Sequence, residues 1–203
     1  MRFSISAKEK RALCRQAPEF QEIVRQIKLD GFECSGDLFY ALVQNIVSQQ
    51  LSMKAAETIF SRLVHLLGTL TAQALKNAEF QDLRACGLSA RKVEYLKGIA
   101  DAVLRKEIDF AALARKSDEE IIAELVTLKG VGVWTAEMLL IFALGRPDVL
   151  SFKDLGIRRG IQLLNHLDHL TETEFELYRK RYSPYGTIAS CYLWRIKDEG
   201  WKI

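Results

Sequence analysis

The sequence predicts an all-α fold, and three observations carry that prediction. Prolines are rare in the 203-residue chain, and hardly any stretch alternates apolar and polar residues as a half-buried strand would. Apolar residues instead recur at helical spacing, as they do on the buried face of a helix. Several pairs of hydroxyl and carboxylate residues have the spacing of a helix start. Together these patterns favour helices throughout.

Six helix starts can be placed from local sequence. In a capping box, a hydroxyl and a carboxylate three residues later satisfy each other's backbone amides. This spacing occurs at Ser6 with Glu9, Ser117 with Glu120, and Thr171 with Glu174. Three more helices have predicted N-caps at Asp37, Ser52 and Ser89. Near the ends of the periodic stretches, where a helix stop or a turn needs a residue tolerant of positive φ, the chain has Gly31, Gly36, Gly68, Gly87, Gly145 and Gly186.

Composition bounds the class of protein. Hydrophobic residues make up 49% of the chain and charged residues 27%, which is ordinary for a globular protein and excludes disorder and collagen-like order. The length suits one domain or two small helical lobes that share a core. A formal net charge of +3 permits a polyanionic partner without demanding one. The start lacks a signal-peptide pattern and no stretch is long and apolar enough for a membrane span, so we expect a cytoplasmic location.

The four cysteines are widely scattered and form no C-x-x-C pair. Their spacing therefore indicates neither a zinc site nor a disulfide framework. We expect buried free thiols at Cys14, Cys34, Cys86 and Cys191.

A glycine-containing hairpin lies at the centre of the functional prediction. Residues 121–128 and 133–144 have helical patterns, and residues 129–132 form a tight connection between them. Glycine at 130 and 132 lets the backbone turn and keeps side chains away from the amides that start the second helix. Those amides form an anion site, and Lys129 adds positive charge. The alternative is a corner between two helices whose glycines serve only close packing.

The surrounding residues make a family resemblance specific. The pattern L-x-G-V-G-x-x-T-A resembles the helix-hairpin-helix motif, which binds the DNA backbone without reading sequence. The matching residues are Leu128, Gly130, Val131, Gly132, Thr135 and Ala136. Residues 148–160, which include Asp154, resemble the aspartate segment of the helix-hairpin-helix DNA glycosylase superfamily. Residues 46–56, 87–92 and 184–195 are similar to blocks of 3-methyladenine DNA glycosylase II, and together these segments cover most of the chain from about residue 37.

The resemblance implies a bilobal all-α fold with the active site in the cleft between the lobes. Lobe A would span about residues 31–145, with the hairpin at 128–136. Lobe B would combine about residues 1–30 with residues 146–203. The whole chain, residues 1–203, would then be a single catalytic unit.

By resemblance, Asp154 is the catalytic carboxylate, which stabilises positive charge on the sugar as the base departs. It is also expected to cap the helix that follows it. Lyase-competent relatives have a lysine nucleophile where this chain has Trp134, so we expect a monofunctional enzyme that leaves an abasic site. The family commonly has proline at the place of Ser151 and an acidic residue at the place of Lys153. Lys153 could keep the Asp154 carboxylate ionised or could contact a phosphate.

The other site residues also come from the resemblance. Predicted base-pocket aromatics are Trp134, Trp194 and Tyr185, with Tyr192 as a further candidate. The candidate wedge that fills the hole left by the flipped base is Gln50, and the alternative for Gln50 is a turn residue that caps the next helix. Predicted phosphate contacts outside the hairpin are Ser89, Arg91 and Lys92, where the two cations could instead form a solvated helix face.

The resemblance further implies an enzyme without a catalytic metal. Only Cys191 lies where iron-sulfur relatives have four closely spaced cysteines, so no cluster is expected. A structural cation could be held by hairpin carbonyls. The expected partner is duplex DNA with alkylated bases. The protein is expected to be a monomer of bacterial type that is associated with the nucleoid when it is bound to DNA. The alternatives are a non-catalytic DNA-binding module and a glycosylase for oxidised or mismatched bases.

Overall fold

The computed structural model describes residues 1–198 and confirms the all-α class, because thirteen α-helices and only two short strands occur in that part of the chain. The elements are β1 (Arg2–Ser4), α1 (Ala7–Gln16), a 3-10 turn (Pro18–Phe20), α2 (Gln21–Gln26), β2 (Gly31–Glu33), α3 (Leu38–Ser48), α4 (Met53–Leu67), α5 (Ala72–Asn77), α6 (Phe80–Ala85), α7 (Ala90–Leu104), α8 (Phe110–Leu113), α9 (Asp118–Leu125), α10 (Val133–Phe142), α11 (Leu155–Leu164), α12 (Glu172–Tyr182) and α13 (Gly186–Asp198). None of the helices in residues 1–198 has the length and apolar character needed to cross a lipid bilayer.

The helix starts follow the local sequence. All three predicted capping boxes form, with both reciprocal hydrogen bonds present at Ser6, Ser117 and Thr171. The side chains of Asp37, Ser52 and Ser89 each accept a hydrogen bond from the backbone amide three residues later. All six predicted N-caps are therefore confirmed.

The chain divides into two compact units. One is continuous and spans residues 35–139, and the other combines residues 1–34 with the chain from residue 140 onwards. Within the continuous unit, α7 packs against α3, α5 and α6. Its interior contains the fully buried Leu42, Ile46 and Leu96. Truncating one such leucine to alanine typically costs about 2–5 kcal/mol.

The discontinuous unit is built on close packing between α11 and α13. A Cβ at Gly160 would lie only 2.5 Å from the backbone oxygen of Leu193, so glycine is needed where these two helices touch. The surrounding core includes Phe20, Phe175 and Tyr182, all fully buried. Phe20 and Tyr182 meet edge to face with ring centroids 5.0 Å apart.

A two-stranded antiparallel sheet in the discontinuous unit was not predicted from the sequence. Strands β1 and β2 pair Phe3 with Phe32, and the two rings stack with centroids 5.0 Å apart. Gly31 adopts φ of 118°, and a Cβ there would clash with the Phe3 carbonyl oxygen at 1.9 Å. Each strand has only three residues, which is too short for an alternating pattern to show.

Candidate active site and DNA-contact surface

Asp154 stands at the start of α11 and caps it. Its Oδ1 accepts a hydrogen bond from the backbone amide of Ile157 at 2.8 Å, which confirms the predicted N-cap. The same oxygen accepts a second bond from the indole Nε1 of Trp194 at 3.0 Å. The side chain is buried, with 8% of the residue exposed. Two donors from different elements therefore hold this carboxylate in one orientation.

Glycine beside the carboxylate makes room for the indole. A Cβ at Gly156 would lie 2.9 Å from Trp194 Cδ1 and 3.1 Å from Asp154 Oδ1. Any larger residue at this position would push the indole away from the carboxylate. Gly156 was not singled out from the sequence, because its role depends on a helix that lies almost forty residues further along the chain.

Aromatic rings extend from Trp194 along one wall of a small cavity. The Trp194 ring stacks on Phe142, with centroids 5.6 Å apart and planes inclined by 22°. Phe142 in turn contacts Phe32 at 5.3 Å between centroids. The cavity has a volume of about 180 Å³. Its lining comprises Ile5, Leu29, Gly31, Phe32, Phe142, Cys191, Trp194 and Arg195.

The aromatic residues of this cavity differ from the predicted base-pocket set. Tyr192 is fully buried in the hydrophobic core and is not among the described residues that line the cavity, so its pocket role stays a prediction. Tyr185 packs half-buried against that core and is not among the described residues that line the cavity beside Trp194. Phe32 and Phe142 were missed. Phe142 follows Trp134 at helical spacing on α10, which was the available signal, whereas Phe32 lies on an unpredicted strand.

Ser151 and Lys153, the two residues near Asp154 that depart from the family pattern, differ in burial. Ser151 is fully buried, whereas Lys153 is exposed. The ammonium of Lys153 lies over the ring of Phe152, 5.6 Å from its centroid. Both alternatives for this lysine stay predictions.

The cysteines are free thiols, as predicted, although only two of them are buried. Cys34 and Cys86 are buried, and Cys14 and Cys191 are half-buried. Burial raises the pKa of the Cys191 thiol to about 12, so this cavity residue stays protonated and neutral.

The two hairpin glycines lie in the continuous unit and have different surroundings. Gly130 adopts φ of 87°, and a Cβ there would lie 2.3 Å from the ring of Tyr95. Gly132 has no atom within 4 Å of such a Cβ, and α10 begins at the next residue. The backbone oxygen of Gly132 accepts the first helical bond, from the amide of Ala136 at 3.0 Å. Close packing therefore explains Gly130, whereas at Gly132 the surface is open.

The other hairpin residues divide between the surface and the interior. Lys129 is exposed, whereas Val131 and Thr135 are buried. Trp134 is 39% exposed, unusually so for an indole. The helix before the hairpin ends at Leu125, earlier than the predicted residue 128, and α10 ends at Phe142 instead of residue 144.

Most of the predicted DNA-contact residues of the continuous unit line one cavity of about 530 Å³. Its lining includes five predicted phosphate contacts, the candidate wedge and one predicted base-pocket aromatic: Ser89, Arg91, Lys92, Gly130 and Thr135, then Gln50, then Trp134. The other lining residues, which the sequence did not single out, are Asn45, Ser48, Gln49 and Tyr95. The Arg91 guanidinium hydrogen-bonds the Tyr95 hydroxyl and lies 5.6 Å from the centroid of its ring. A hydrogen-bonding, partly cationic surface therefore adjoins the hairpin.

The turn after α3 presents Gln50 to solvent. Gln50 is exposed and adopts φ of 59°, a left-handed conformation that is uncommon for a residue other than glycine. Exposed apolar side chains follow it at Leu51 and Met53, of which Met53 is 82% exposed. Ser52 caps the next helix, so the cap role weighed for Gln50 belongs to Ser52.

No group of three or more His, Cys, Asp or Glu side chains within residues 1–198 could hold a metal ion. A cation at the hairpin would therefore depend on backbone carbonyls. The Leu128 carbonyl accepts from the Val131 amide at 3.1 Å, and that of Gly130 accepts from the Gln49 side chain at 3.1 Å.

The chain is similar to known DNA repair proteins. The sequence profile of the HhH-GPD superfamily of base excision DNA repair proteins matches residues 43–184. The chain is 40% identical over 159 residues to DNA-3-methyladenine glycosylase 1 of Schizosaccharomyces pombe, covering 76% of this chain and 70% of that one. It is also 40% identical over 175 residues to the DNA-3-methyladenine glycosylase of Saccharomyces cerevisiae, covering 80% of this chain but only 58% of that one.

Solved structures give the same result. A DNA-3-methyladenine glycosidase from Bacillus halodurans superimposes with a TM-score of 0.84 at 32% identity, covering 98% of this chain and 93% of that one. The Schizosaccharomyces pombe 3-methyladenine DNA glycosylase in complex with abasic DNA gives a TM-score of 0.80 at 32% identity, with 97% and 100% covered. The chain belongs to the HhH-GPD superfamily of base excision DNA repair proteins.

Proposed function

We propose that this chain is a monofunctional DNA glycosylase that removes alkylated purines, 3-methyladenine foremost, from duplex DNA and leaves an abasic site. The observation that carries the proposal is the buried Asp154 carboxylate, held by the start of α11 and by the indole of Trp194 beside an aromatic cavity. Relatives named for 3-methyladenine support the substrate class.

Asp154 supplies the chemistry. Hydrolysis of the bond between base and deoxyribose develops positive charge on the sugar, and a fixed carboxylate stabilises that charge. The carboxylate also orients the attacking water. An alkylated purine such as 3-methyladenine is already cationic and leaves readily, so the enzyme needs no strong general acid.

The aromatic cavity selects the base. A cationic purine gains cation-π and stacking energy against electron-rich rings, by roughly 1–2 kcal/mol over a neutral base. Trp194 and Phe142 supply that wall, and 7-methylguanine and related lesions share the same positive charge. Trp134 remains a predicted pocket aromatic.

The hairpin and the turn after α3 hold the DNA. The backbone amides at the start of α10 donate to a phosphate of the DNA, the open space beside Gly132 lets that phosphate approach, and Lys129 adds charge. Gln50 fills the space that the flipped nucleotide leaves in the duplex. The enzyme acts as a monomer. A cation at the hairpin would be an oxygen-liganded hard ion with a structural role.

Strand cleavage is not part of the activity. A lyase step requires an amine that forms a Schiff base with the sugar, and Trp134 stands where lyase-competent relatives have that lysine.

Replacing Asp154 with asparagine tests the proposal. Asparagine caps a helix as well as aspartate does, so Asp154→Asn should leave the melting temperature almost unchanged. Release of methylated purines from methylated duplex DNA should fall by about 100-fold or more, because the transition-state charge loses its partner. Free bases, abasic sites and strand nicks are quantified for both proteins, with and without a chelator.

Each alternative has its own outcome in this assay. A wild type that binds duplex DNA but releases no methylated purine is a non-catalytic binding module. In parallel reactions on duplexes with an oxidised or mismatched base, release of those bases in preference to methylated ones indicates a different substrate class. Nicks formed without heat or base contradict monofunctional chemistry, and inhibition by the chelator contradicts a metal-independent reaction.

A further inference from the structure

Lys92 makes contacts that differ from those expected of a phosphate-binding lysine. Its Nζ donates to the backbone oxygens of Val47 at 2.8 Å and of Gln49 at 2.7 Å. These carbonyls lie at and just beyond the end of α3, where no further turn of helix supplies an amide. The side chain is half-buried, and burial lowers the pKa of Lys92. The ammonium therefore hydrogen-bonds the backbone beside the turn that contains Gln50.

That turn needs an external support. Gln50 has a left-handed φ of 59°, a strained conformation for an L residue with a side chain. Within the turn, the amide of Leu51 donates to the oxygen of Ser48 at 3.2 Å. Strained backbone persists where its surroundings over-determine it, and the two bonds from Lys92 are such a constraint.

A second side chain joins the same turn to the hairpin. Gln49 Nε2 donates to the backbone oxygen of Gly130 at 3.1 Å. Gly130 is itself packed against Tyr95, so the acceptor is well fixed. The turn and the hairpin are thus joined by a direct bond between the residue before Gln50 and the residue two before the open Gly132.

We infer that Lys92 and Gln49 are positioning residues that hold Gln50 ready for insertion and couple it to the phosphate-binding hairpin. The inference rests on the proposed function, because Gln50 acts as a wedge only in a base-flipping enzyme. It replaces the expectation that Lys92 contacts a phosphate. Bound phosphate at Gly132 fixes the hairpin, and the Gln49 bond then fixes the wedge relative to it.

The same helix provides a matched control. Lys97, also on α7, donates from Nζ to the backbone oxygens of Lys76 and Ala78 at the end of α5. Lys97→Met therefore removes the same kind of support from a helix end that carries no predicted DNA contact. Any general cost of losing such a lysine should appear equally in Lys92→Met and Lys97→Met.

The experiment measures affinity for a duplex that contains a stable abasic-site analogue and for the intact duplex of the same sequence. The wild type should prefer the abasic duplex, because the wedge occupies its gap. In Lys92→Met, the ratio of affinities for the abasic and the intact duplex should fall by about tenfold, equivalent to about 1.4 kcal/mol. In Lys97→Met this ratio should stay unchanged. In a Gln50→Ala background, Lys92→Met should cause no further loss, because both changes remove the same interaction. Gln49→Leu should match Lys92→Met and provides the test if that variant does not fold.

Three outcomes would overturn the inference. Unchanged preference in folded Lys92→Met and Gln49→Leu, with normal excision by the wild type, refutes it and leaves the proposed function intact. An equal and additional loss in the Gln50→Ala background shows that Lys92 acts independently of the wedge. A wild type that neither excises methylated purines nor prefers the abasic duplex refutes the proposed function and this inference with it.

Discussion

Gly130 and Gly132 are two residues apart on the hairpin and are glycine for different reasons. Gly130 combines a positive φ with a ring of Tyr95 where a Cβ would be, so its requirement lies within the folded protein. Gly132 has open space at that position. The motif predicted that both glycines matter. Their separate roles depend on contact with Tyr95, which is distant in the sequence and belongs to no motif that would have predicted the contact.

Substitution should separate these two roles. Gly130→Ala should lower the free energy of unfolding by roughly 1–3 kcal/mol, because it combines backbone strain with overpacking. Gly132→Asp should keep or raise stability, since aspartate caps α10 well, and should weaken binding to all duplexes by about tenfold or more through repulsion of the phosphate, about 1.4 kcal/mol.

Urea denaturation and binding to several unrelated duplexes measure these effects. Gly132→Asn has nearly the same size without the charge and should lose less affinity than Gly132→Asp. A loss confined to one DNA sequence would contradict a phosphate contact, because phosphates carry no sequence information.

Among the elements, several helix starts were predictable and the strands were not. Capping boxes predicted three helix starts, at Ser6, Ser117 and Thr171, because a capping box depends only on two residues three positions apart. Helix ends were less certain, as the early end of α9 at Leu125 shows. The pairing of β1 with β2 joins distant residues through backbone bonds, and three-residue strands leave no pattern to detect.

The importance of close packing between α11 and α13 can be tested by adding one methyl group at Gly160. Gly160→Ala should destabilise the protein by about 1–3 kcal/mol, because the new Cβ would lie 2.5 Å from the Leu193 oxygen. Excision should fall as well, since α11 carries Asp154 and α13 carries Trp194.

Gly98 on α7 provides a control of opposite sign. A Cβ at Gly98 has no neighbour within 4 Å, so Gly98→Ala should stabilise by about 0.5–1 kcal/mol through helix propensity. Melting curves and excision rates of both variants test this; equal stability changes for the two would contradict the packing argument.

At the scale of the whole molecule, the two units differ in how the chain builds them. Residues 35–139 are consecutive and have their own buried core, whereas the other unit must bring residues 1–34 to the chain after residue 140. A continuous unit closes its core through shorter loops than a discontinuous one.

A fragment of residues 35–142, which retains all of α10, should therefore fold alone. We expect a helical circular dichroism spectrum and a cooperative thermal transition, at a lower temperature than in the full chain. Residues 1–34 alone should be unstructured. A fragment of residues 35–142 that melts without a transition would show that its core depends on the rest of the chain.

The sequence revealed the order of the motifs along the molecule but only part of the site. Asp154, Trp194 and the hairpin were predicted as site residues because their residue types and spacing match a family pattern. Phe32 and Phe142 were not, because they are ordinary core-type residues whose role arises from ring contacts between separate elements.

Trp194 performs two tasks with one ring, since its N–H orients Asp154 while its face forms the aromatic wall. Under the proposed function, a mutation that reshapes this face to admit new lesions also disturbs the carboxylate that cleaves them. Phe142 lines the same cavity, and its ring has no hydrogen-bond donor with which to orient Asp154. Substitutions at Phe142 should therefore change the range of lesions removed with less loss of activity than substitutions at Trp194.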